Sequence, residues 1–322
     1  MMTMAKKEPK DPFVFVFITN WNGREHLEKL LPGLVKSKYS NFKVHVLDNA
    51  STDDSKEFVE KNFPEVEFIC NRSNLGYVGN CNRGFREGIK KKADYIALLS
   101  NDIIVDERWL PEAVKLLESN RSVGIVGFDI LRDPRPSDYK EFLREKKKRT
   151  SFSAKEVDNL TGCTLVTRSL ILKRLGLFDP GYTMYSEEND FEARVQRAGF
   201  SLMKISVPVY HAVEGTDWGK VKLRTSFYAI RNTMRYGLKN KGFFDALLLI
   251  GFVFYFACMP FKRVDRRDPT KRRLRPRNAF INFCIVSYAF LWNIFYLPAT
   301  LKSRFRDNRR ADRLRRKMFR DV

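Results

Sequence analysis

Short apolar runs at Phe13–Ile18, Lys43–Leu47, Val66–Cys70, Tyr95–Leu99 and Val123–Val126 alternate with helical periodicity at about 24–37, 54–62, 80–92 and 109–119. Runs this short and this uniformly apolar suit strands buried on both faces. A helix between each pair of strands calls for parallel pairing through right-handed crossovers. The expected fold is therefore α/β, a Rossmann-like and mostly parallel sheet flanked by helices.

Three of the first strands run straight into Asn, Asp or Gly, at ITNWNG (18–23), VLDNASTDDS (46–55) and LLSNDIIVD (98–106). In open parallel sheets the carboxyl ends of the strands are where nucleotides bind. Asp48 follows the second strand with Asn49, Ser51 and Asp53 behind it. A carboxylate there can accept an N–H from a pyrimidine base, and the small polar groups can bind ribose. Turn and helix-cap chemistry accounts for part of the same segment. The segment NLGYVGNCNRG (74–84) puts Gly76, Gly79 and Gly84 at a helix start, where backbone N–H groups can face a diphosphate or simply form a glycine-rich turn. Asp102 closes an apolar strand; a carboxylate beside a diphosphate suits Mg²⁺ or Mn²⁺.

After Val126 the alternation lapses. Residues 129–157 hold Pro134, Pro136 and REKKKR (144–149), an insertion over the site, an acceptor surface or a solvated loop. The pattern resumes with LTGCTLVT (160–167), a helix from Ser169 and FDPGYTMYSEENDFEARVQRAGF (178–200), in which SEEND opens an amphipathic helix. One of its carboxylates can act as a general base, although acids at a helix N-terminus are also stabilising in themselves. A strand pair around 202–211 ends in His211, either a neutral-imidazole metal ligand or a structural histidine. A basic amphipathic helix covers about 220–239.

The chain has 322 residues and a net charge of +22, which points to phosphate-rich partners. The excess is concentrated near the C-terminus: residues 262–277 and 302–322 each carry net +7 and alternate with apolar runs at 243–261 and 279–301. Those runs approach bilayer-spanning length. A simple hairpin would place its basic loop across the membrane from the basic tail, against the positive-inside rule. In-plane or re-entrant helices keep both on one anionic surface, and a soluble pair at a dimer interface is the third possibility. Because the basic segments flank apolar runs rather than interleaving with exposed aromatics, nucleic acid is not an expected partner. Cys70, Cys81, Cys163, Cys258 and Cys284 form no CxxC pair and read as reduced thiols.

The order and wording of these segments resemble glycosyltransferase family 2 enzymes of the GT-A fold, particularly the rhamnosyltransferase-like and galactofuranosyltransferase-like group. The resemblance runs from about Phe13 to Lys239. It implies a base contact by Asp48 and a diphosphate and sugar lining from Asn74, Gly76, Gly79 and Asn82. Thr19, Asn20, Asn22, Asn49, Ser51 and Asn101 join that nucleotide and sugar set. It also implies a divalent metal held by Asp102 and His211, with Glu188, beside Glu187, as the catalytic base. The chain departs from the family pattern at Ser100, usually Asn or Asp, at Asn80 and Cys81, usually Gly and Asn, and at Glu188, usually Asp.

The expected activity is therefore inverting transfer from a nucleoside-diphosphate sugar to a saccharide or lipid-linked saccharide at the cytoplasmic face of a membrane. A catalytically inactive nucleotide-sugar binder and a basic nucleic-acid or membrane-binding protein are the alternatives. A sugar-1-phosphate nucleotidyltransferase would need a Gly-rich basic loop after the first strand, and ITNWNGREHL supplies none. The expected organisation is a tail over 1–12, the catalytic domain over 13–240 with its 129–157 insertion, and a membrane-associating region over 241–322.

Overall fold

A computed structural model describes residues 11–132, 137–212, 223–258 and 279–319. Pro134, Pro136, most of the 1–12 tail and the basic segment 262–277 lie outside the described residues. The chain forms two compact units, Met1–Leu75 with Asn80–Lys173 and Ser201–Ala212, and Gly76–Gly79 with Arg174–Phe200 and Val213–Val322. Residue 240, the expected end of the catalytic domain, falls inside the second unit.

In the first unit, β1 (Val14–Asn20), β2 (Phe42–Asp48), β3 (Glu67–Cys70) and β4 (Tyr95–Ser100) pair in parallel, with β1 between β2 and β4. Every residue of β1 is buried, as a central strand covered on both faces requires. The crossovers are α1 (Arg24–Val35), α2 (Ser55–Asn62) and α3 (Gly76–Lys90). Gly84 lets α3 approach the sheet: a Cβ there would lie 2.5 Å from the Phe17 ring and 2.7 Å from Leu47. Register places Asn20 opposite Asp48, Asp48 opposite Cys70 and Thr19 opposite Ser100, so the polar strand ends share one edge.

Beyond β4 the sheet is mixed. β5 (Ile103–Val105), α4 (Trp109–Ser119), β6 (Val123–Arg132), α5 (Ser137–Lys148), β7 (Ala154–Glu156), β8 (Thr164–Arg168) and α6 (Ser169–Leu175) lead towards β9 (Ser201–His211). The strand order is β3-β2-β1-β4-β8-β6-β9-β5, with β7 on β9. β8 runs antiparallel to β4 and β6, and β9 antiparallel to β5 and β7. Parallel pairing thus holds among the first four strands, where helices make the crossovers, and again between β6 and β9. The expected strand pair near 202–211 is instead one long strand, held by β6 on one side and by β5 and β7 on the other. The described part of 129–157 is largely regular, and REKKKR closes α5 rather than lying in a loop. Arg149 folds back onto Asp129 and Glu145, each at 2.9 Å.

The second unit is helical: α7 (Glu187–Arg197), α8 (Leu223–Asn240), α9 (Phe243–Cys258), α10 (Ala279–Phe295) and α11 (Leu297–Met318). Ile230, Met234, Ile250, Val253, Val286 and Ala289 form the core of α8, α9 and α10. The other faces of α9 and α10 expose Phe244, Leu248, Phe280 and Phe295. Among the described residues no single helix is long and apolar enough to cross a membrane. The segments Phe280–Phe295 and Leu297–Met318 meet that requirement only together, by length and composition, and bend by 62° between them. α11 buries Thr300, Ser303, Asp307, Ala311 and Leu314, spaced three or four residues apart on one face.

Candidate active site

The ends of β1 and β2 are clasped by side chains. Asp48, 3% exposed, accepts from Asn20 Nδ2 at 2.9 Å, from the Ser51 backbone N–H at 2.8 Å and from Ser51 Oγ at 2.5 Å. Asn22 accepts from the Thr52 N–H at 2.8 Å, while its own N–H donates to Ser51 Oγ at 2.7 Å. Ala50 and Asn22 both adopt positive φ, +60° and +48°. Asparagine tolerates that conformation, whereas alanine holds it only where its surroundings impose it. Asp53 is held below the usual carboxylate range: burial would raise it, but donors from Ser55 and the Arg24 backbone prevail.

Asn20 Oδ1 accepts from Asn101 Nδ2 at 2.8 Å, which ties the β1 loop to the residue before Asp102. Gly23 leaves room for this crossing: a Cβ there would lie 1.9 Å from Asn101 Nδ2 and displace the amide. Thr19 Oγ1 donates to the Leu99 carbonyl at 3.5 Å. Asp48, Asn20, Asn101 and Asp102 thus form a continuous run along one sheet edge.

A second network uses amides alone. Asn49 Nδ2 donates to Asn74 Oδ1 at 2.8 Å, and Asn49 Oδ1 accepts from the Leu75 N–H at 2.8 Å and Asn71 Nδ2 at 3.1 Å. Asn71 donates to Asn80 Oδ1 and Asn80 to the Leu47 carbonyl, both at 2.8 Å. Asn80 therefore bolts α3 to the end of β2. Asn82 is buried in the next turn, while Gly76, φ +70°, and Gly79 open α3 within the second unit.

Asp102 Oδ2 lies 3.1 Å from His211 Nε2, because β5 and β9 pair Ile103 with His211. Asp102 Oδ1 is buried and takes no hydrogen bond among the described residues. One carboxylate and one imidazole, with an oxygen lone pair unused, fit a divalent ion whose remaining ligands are phosphate oxygens and water.

Glu187 and Glu188 stand at the first turn of α7, in the second unit; Glu187 is buried and Glu188 half-buried. Tyr185 and Ser186 ahead of them adopt positive φ, +71° and +66°. Asn232 Nδ2 holds this turn by donating to the Met184 and Tyr185 carbonyls at 2.7 and 2.9 Å. Two residues beyond Glu188, Asp190 joins Asp179 and Asp307 in a buried acidic trio close enough to bind a metal. That centre is filled by Lys239, whose Nζ lies 2.7 Å from Asp179, 2.9 Å from Asp190 and 2.8 Å from Asp307. Arg194 and Arg235 complete the neutralisation, at 3.1 Å from Asp190 and 3.2 Å from Asp179. Asp179 and Asp307 are depressed below the ordinary carboxylate range, these cations outweighing the effect of burial.

The family model described as glycosyl transferase family 2 matches residues 15–175, half of the chain. The chain belongs to glycosyl transferase family 2. An N-acetylglucosaminyl-diphospho-decaprenol L-rhamnosyltransferase of Mycobacterium tuberculosis is 24% identical over 216 residues, 57% of this chain and 69% of that protein. Uncharacterised glycosyltransferases of Haemophilus influenzae and Rickettsia typhi are 25% and 22% identical over 36% and 54% of this chain. Those matches span only 36% and 56% of the two relatives' own lengths. Among solved structures, a mannosyltransferase of Pyrobaculum calidifontis in complex with GDP-Man and Mn²⁺ aligns with a TM-score of 0.54 over 99% of this chain and 91% of that one. At 14% identity this likeness speaks for the GT-A fold alone.

Several buried residues of this family 2 chain carry little sequence signal. Asn71 reads as an ordinary polar position and Asn80 as a departure from the family pattern, yet both are buried in the amide chain. Asn232 and Lys239 sit on what reads as a solvated basic helix, and both are completely buried. The only available clue is their spacing, which puts Asn232, Arg235 and Lys239 on one face of α8.

Proposed function

We propose that the protein is an inverting glycosyltransferase that moves a sugar from a nucleoside-diphosphate donor to a hydroxyl of a lipid-linked saccharide at the cytoplasmic face of an anionic membrane. The observation that carries this reading is the Asp102–His211 pair at the carboxyl end of the sheet, with an unused buried oxygen on Asp102. Asp102 and His211 would hold Mn²⁺ or Mg²⁺, which when bound would offset charge on the departing diphosphate. Asn20, Asn22, Ser51 and Asn101 order the edge that receives the nucleotide, and Asp48 and Thr19 complete it. The Asn49–Asn74 contact holds the loop that precedes Gly76 and Gly79, whose backbone N–H groups would face the diphosphate, and Asn82 joins that lining.

In the reaction, Glu188 takes the proton of an acceptor hydroxyl, and the freed oxygen attacks the anomeric carbon from the face opposite the leaving group. A new C–O bond forms as the bond to the nucleoside diphosphate breaks, inverting the configuration. Glu187 adds negative charge beside the base. The exposed apolar faces of α9 and α10 and the basic residues of α11 suit a helix pair lying in the interface plane.

The deciding experiment incubates the full chain with UDP-, dTDP- and GDP-sugars, Mn²⁺ and membrane vesicles, and follows nucleoside diphosphate release. At least one donor should raise the apparent melting temperature and yield product. If no donor stabilises the protein and none is consumed, the proposed activity is wrong.

A further inference from the structure

Tyr185 and Ser186 are consecutive non-glycine residues at positive φ, +71° and +66°, directly ahead of Glu187 and Glu188. Tyrosine and serine rarely enter the left-handed region, and seldom two in a row. A turn of that kind persists only where its surroundings over-determine it. Its own helix does not supply the hold: among the described residues, Ser186 at the N-terminus of α7 makes no side-chain capping hydrogen bond. The hold comes from α8.

Asn232 on α8 is fully buried and uses its whole amide. Both Nδ2 hydrogens go to the turn, at 2.7 Å to the Met184 carbonyl and 2.9 Å to the Tyr185 carbonyl. Its Oδ1 accepts from Arg231 Nε at 2.8 Å. An amide turned the other way would set its oxygen against two carbonyl oxygens, so the guanidinium fixes which end faces the turn. Arg231 Nη2 in turn donates to the Gly181 carbonyl and Thr183 Oγ1, both at 3.3 Å, in the segment that leads into the same turn. The helix grips α7 a second time beyond the acidic pair. Asn240 Nδ2 donates to Asp190 Oδ1 at 3.0 Å, and Lys239 Nζ stands 2.9 Å from that oxygen. Asn232, Lys239 and Asn240 are spaced by about two helical turns of α8 and so share a face. Glu188 therefore sits between two anchors set by one helix.

We propose that Asn232 is the positioning residue for the Glu188 carboxylate: it imposes the left-handed turn from which α7 starts and thereby fixes how Glu188 meets an acceptor hydroxyl. The assignment rests on the glycosyl-transfer reading, in which Glu188 is the base, and adds a residue that acts through the base rather than on either substrate. Proton abstraction needs the carboxylate within hydrogen-bond reach of the hydroxyl, and a misplacement of about 1 Å can cost about 100-fold in rate. A residue that works only through Glu188 has no effect once that side chain has lost its basicity. A residue that merely stabilises the fold has the same effect either way.

The test makes N232D and N232A in the full chain, each in the wild-type and the E188Q background, and reads kcat, donor KM and melting temperature. N232D keeps an oxygen for Arg231 but turns another on the two carbonyls; N232A removes both donors without adding charge. In the wild-type background each should lower kcat by about 10- to 100-fold and leave donor KM within about twofold. In the E188Q background each should lower the residual kcat by less than about twofold, with the same shift in melting temperature as in the wild-type background. Full kcat in either variant overturns the assignment, and so does a loss that appears in KM rather than kcat. An equal fractional loss in the E188Q background, or failure of both variants to fold, marks a packing role and overturns it too. The wild-type control separates the underlying reading: if the unaltered chain consumes no donor, glycosyl transfer itself falls and takes the assignment with it.

Discussion

Asp102 and His211, 109 residues apart in sequence, meet at 3.1 Å because β5 and β9 align Ile103 with His211. The antiparallel pairing that breaks the parallel pattern of the sheet is thus what assembles the candidate metal pair. If the pair holds the ion, Asp102→Ala should abolish Mn²⁺-dependent turnover. His211→Ala, which leaves the carboxylate, should raise the Mn²⁺ concentration for half-maximal rate about tenfold, equivalent to ~1.4 kcal/mol. A metal titration of initial rate measures both. An unchanged Mn²⁺ requirement in His211→Ala would remove the imidazole from the site.

Glu188→Gln keeps the shape of the side chain and removes its basicity. Turnover should fall by about 10²- to 10⁴-fold, the usual worth of a positioned general base. Donor affinity, read by thermal shift, should stay near wild type because the strand-end groups of the first unit are untouched. Glu187→Gln should cost less. A Glu188→Gln enzyme at full rate would transfer the role elsewhere.

The first half of the fold is legible in the chain because each element announces itself locally. Phe13–Ile18 and Tyr95–Leu99 are apolar throughout, and the residues after them are short and polar. The second half is less legible because its order comes from distant partners. Nothing near His211 shows that its strand is a single one clamped from both sides, and nothing near Ser100 shows that the reversal of β8 follows. The basic tail reads as a membrane-facing segment, yet Ser303 and Asp307 of α11 are buried on Asp179 and Lys239. The buried partners of Asp307, Lys239 and Arg194, lie more than sixty residues upstream, where no local pattern points to them.

The amide chain through Asn71 and Asn80 makes its own prediction. Asn80→Ala removes one hydrogen bond from the Leu47 carbonyl and one from Asn71 in a buried setting. The expected loss of stability is roughly 1–3 kcal/mol. Because the chain ends on Asn49 and Asn74, donor affinity should weaken as well. Urea unfolding and a donor titration on the same variant measure the two effects. Wild-type stability in Asn80→Ala would mean that the network contributes nothing to the fold.

Lys239 offers the sharpest test of the buried ion cluster. Burial alone would raise Asp179 and Asp307, but Lys239, with Arg235 and Arg194, holds both below the ordinary range. A carboxylate depressed in the folded state contributes stability above its unfolded pKa of about 3.9 and loses it as pH falls towards the folded value. The wild-type protein should therefore keep its stability from neutrality to about pH 5 and lose it in acid below about pH 4. Lys239→Met removes the central cation and should cost about 3–5 kcal/mol at pH 7. With the cation gone, three buried carboxylates face Arg194 and Arg235, and burial should raise the one left unmatched above its unfolded value. Groups raised in this way favour the folded state at low pH and lose that contribution as pH rises through the folded value. The penalty of Lys239→Met should accordingly be smaller at pH 4.5 than at pH 7. Urea denaturation of both proteins at the two pH values gives the comparison, and a penalty independent of pH would show that the lysine acts through packing rather than charge.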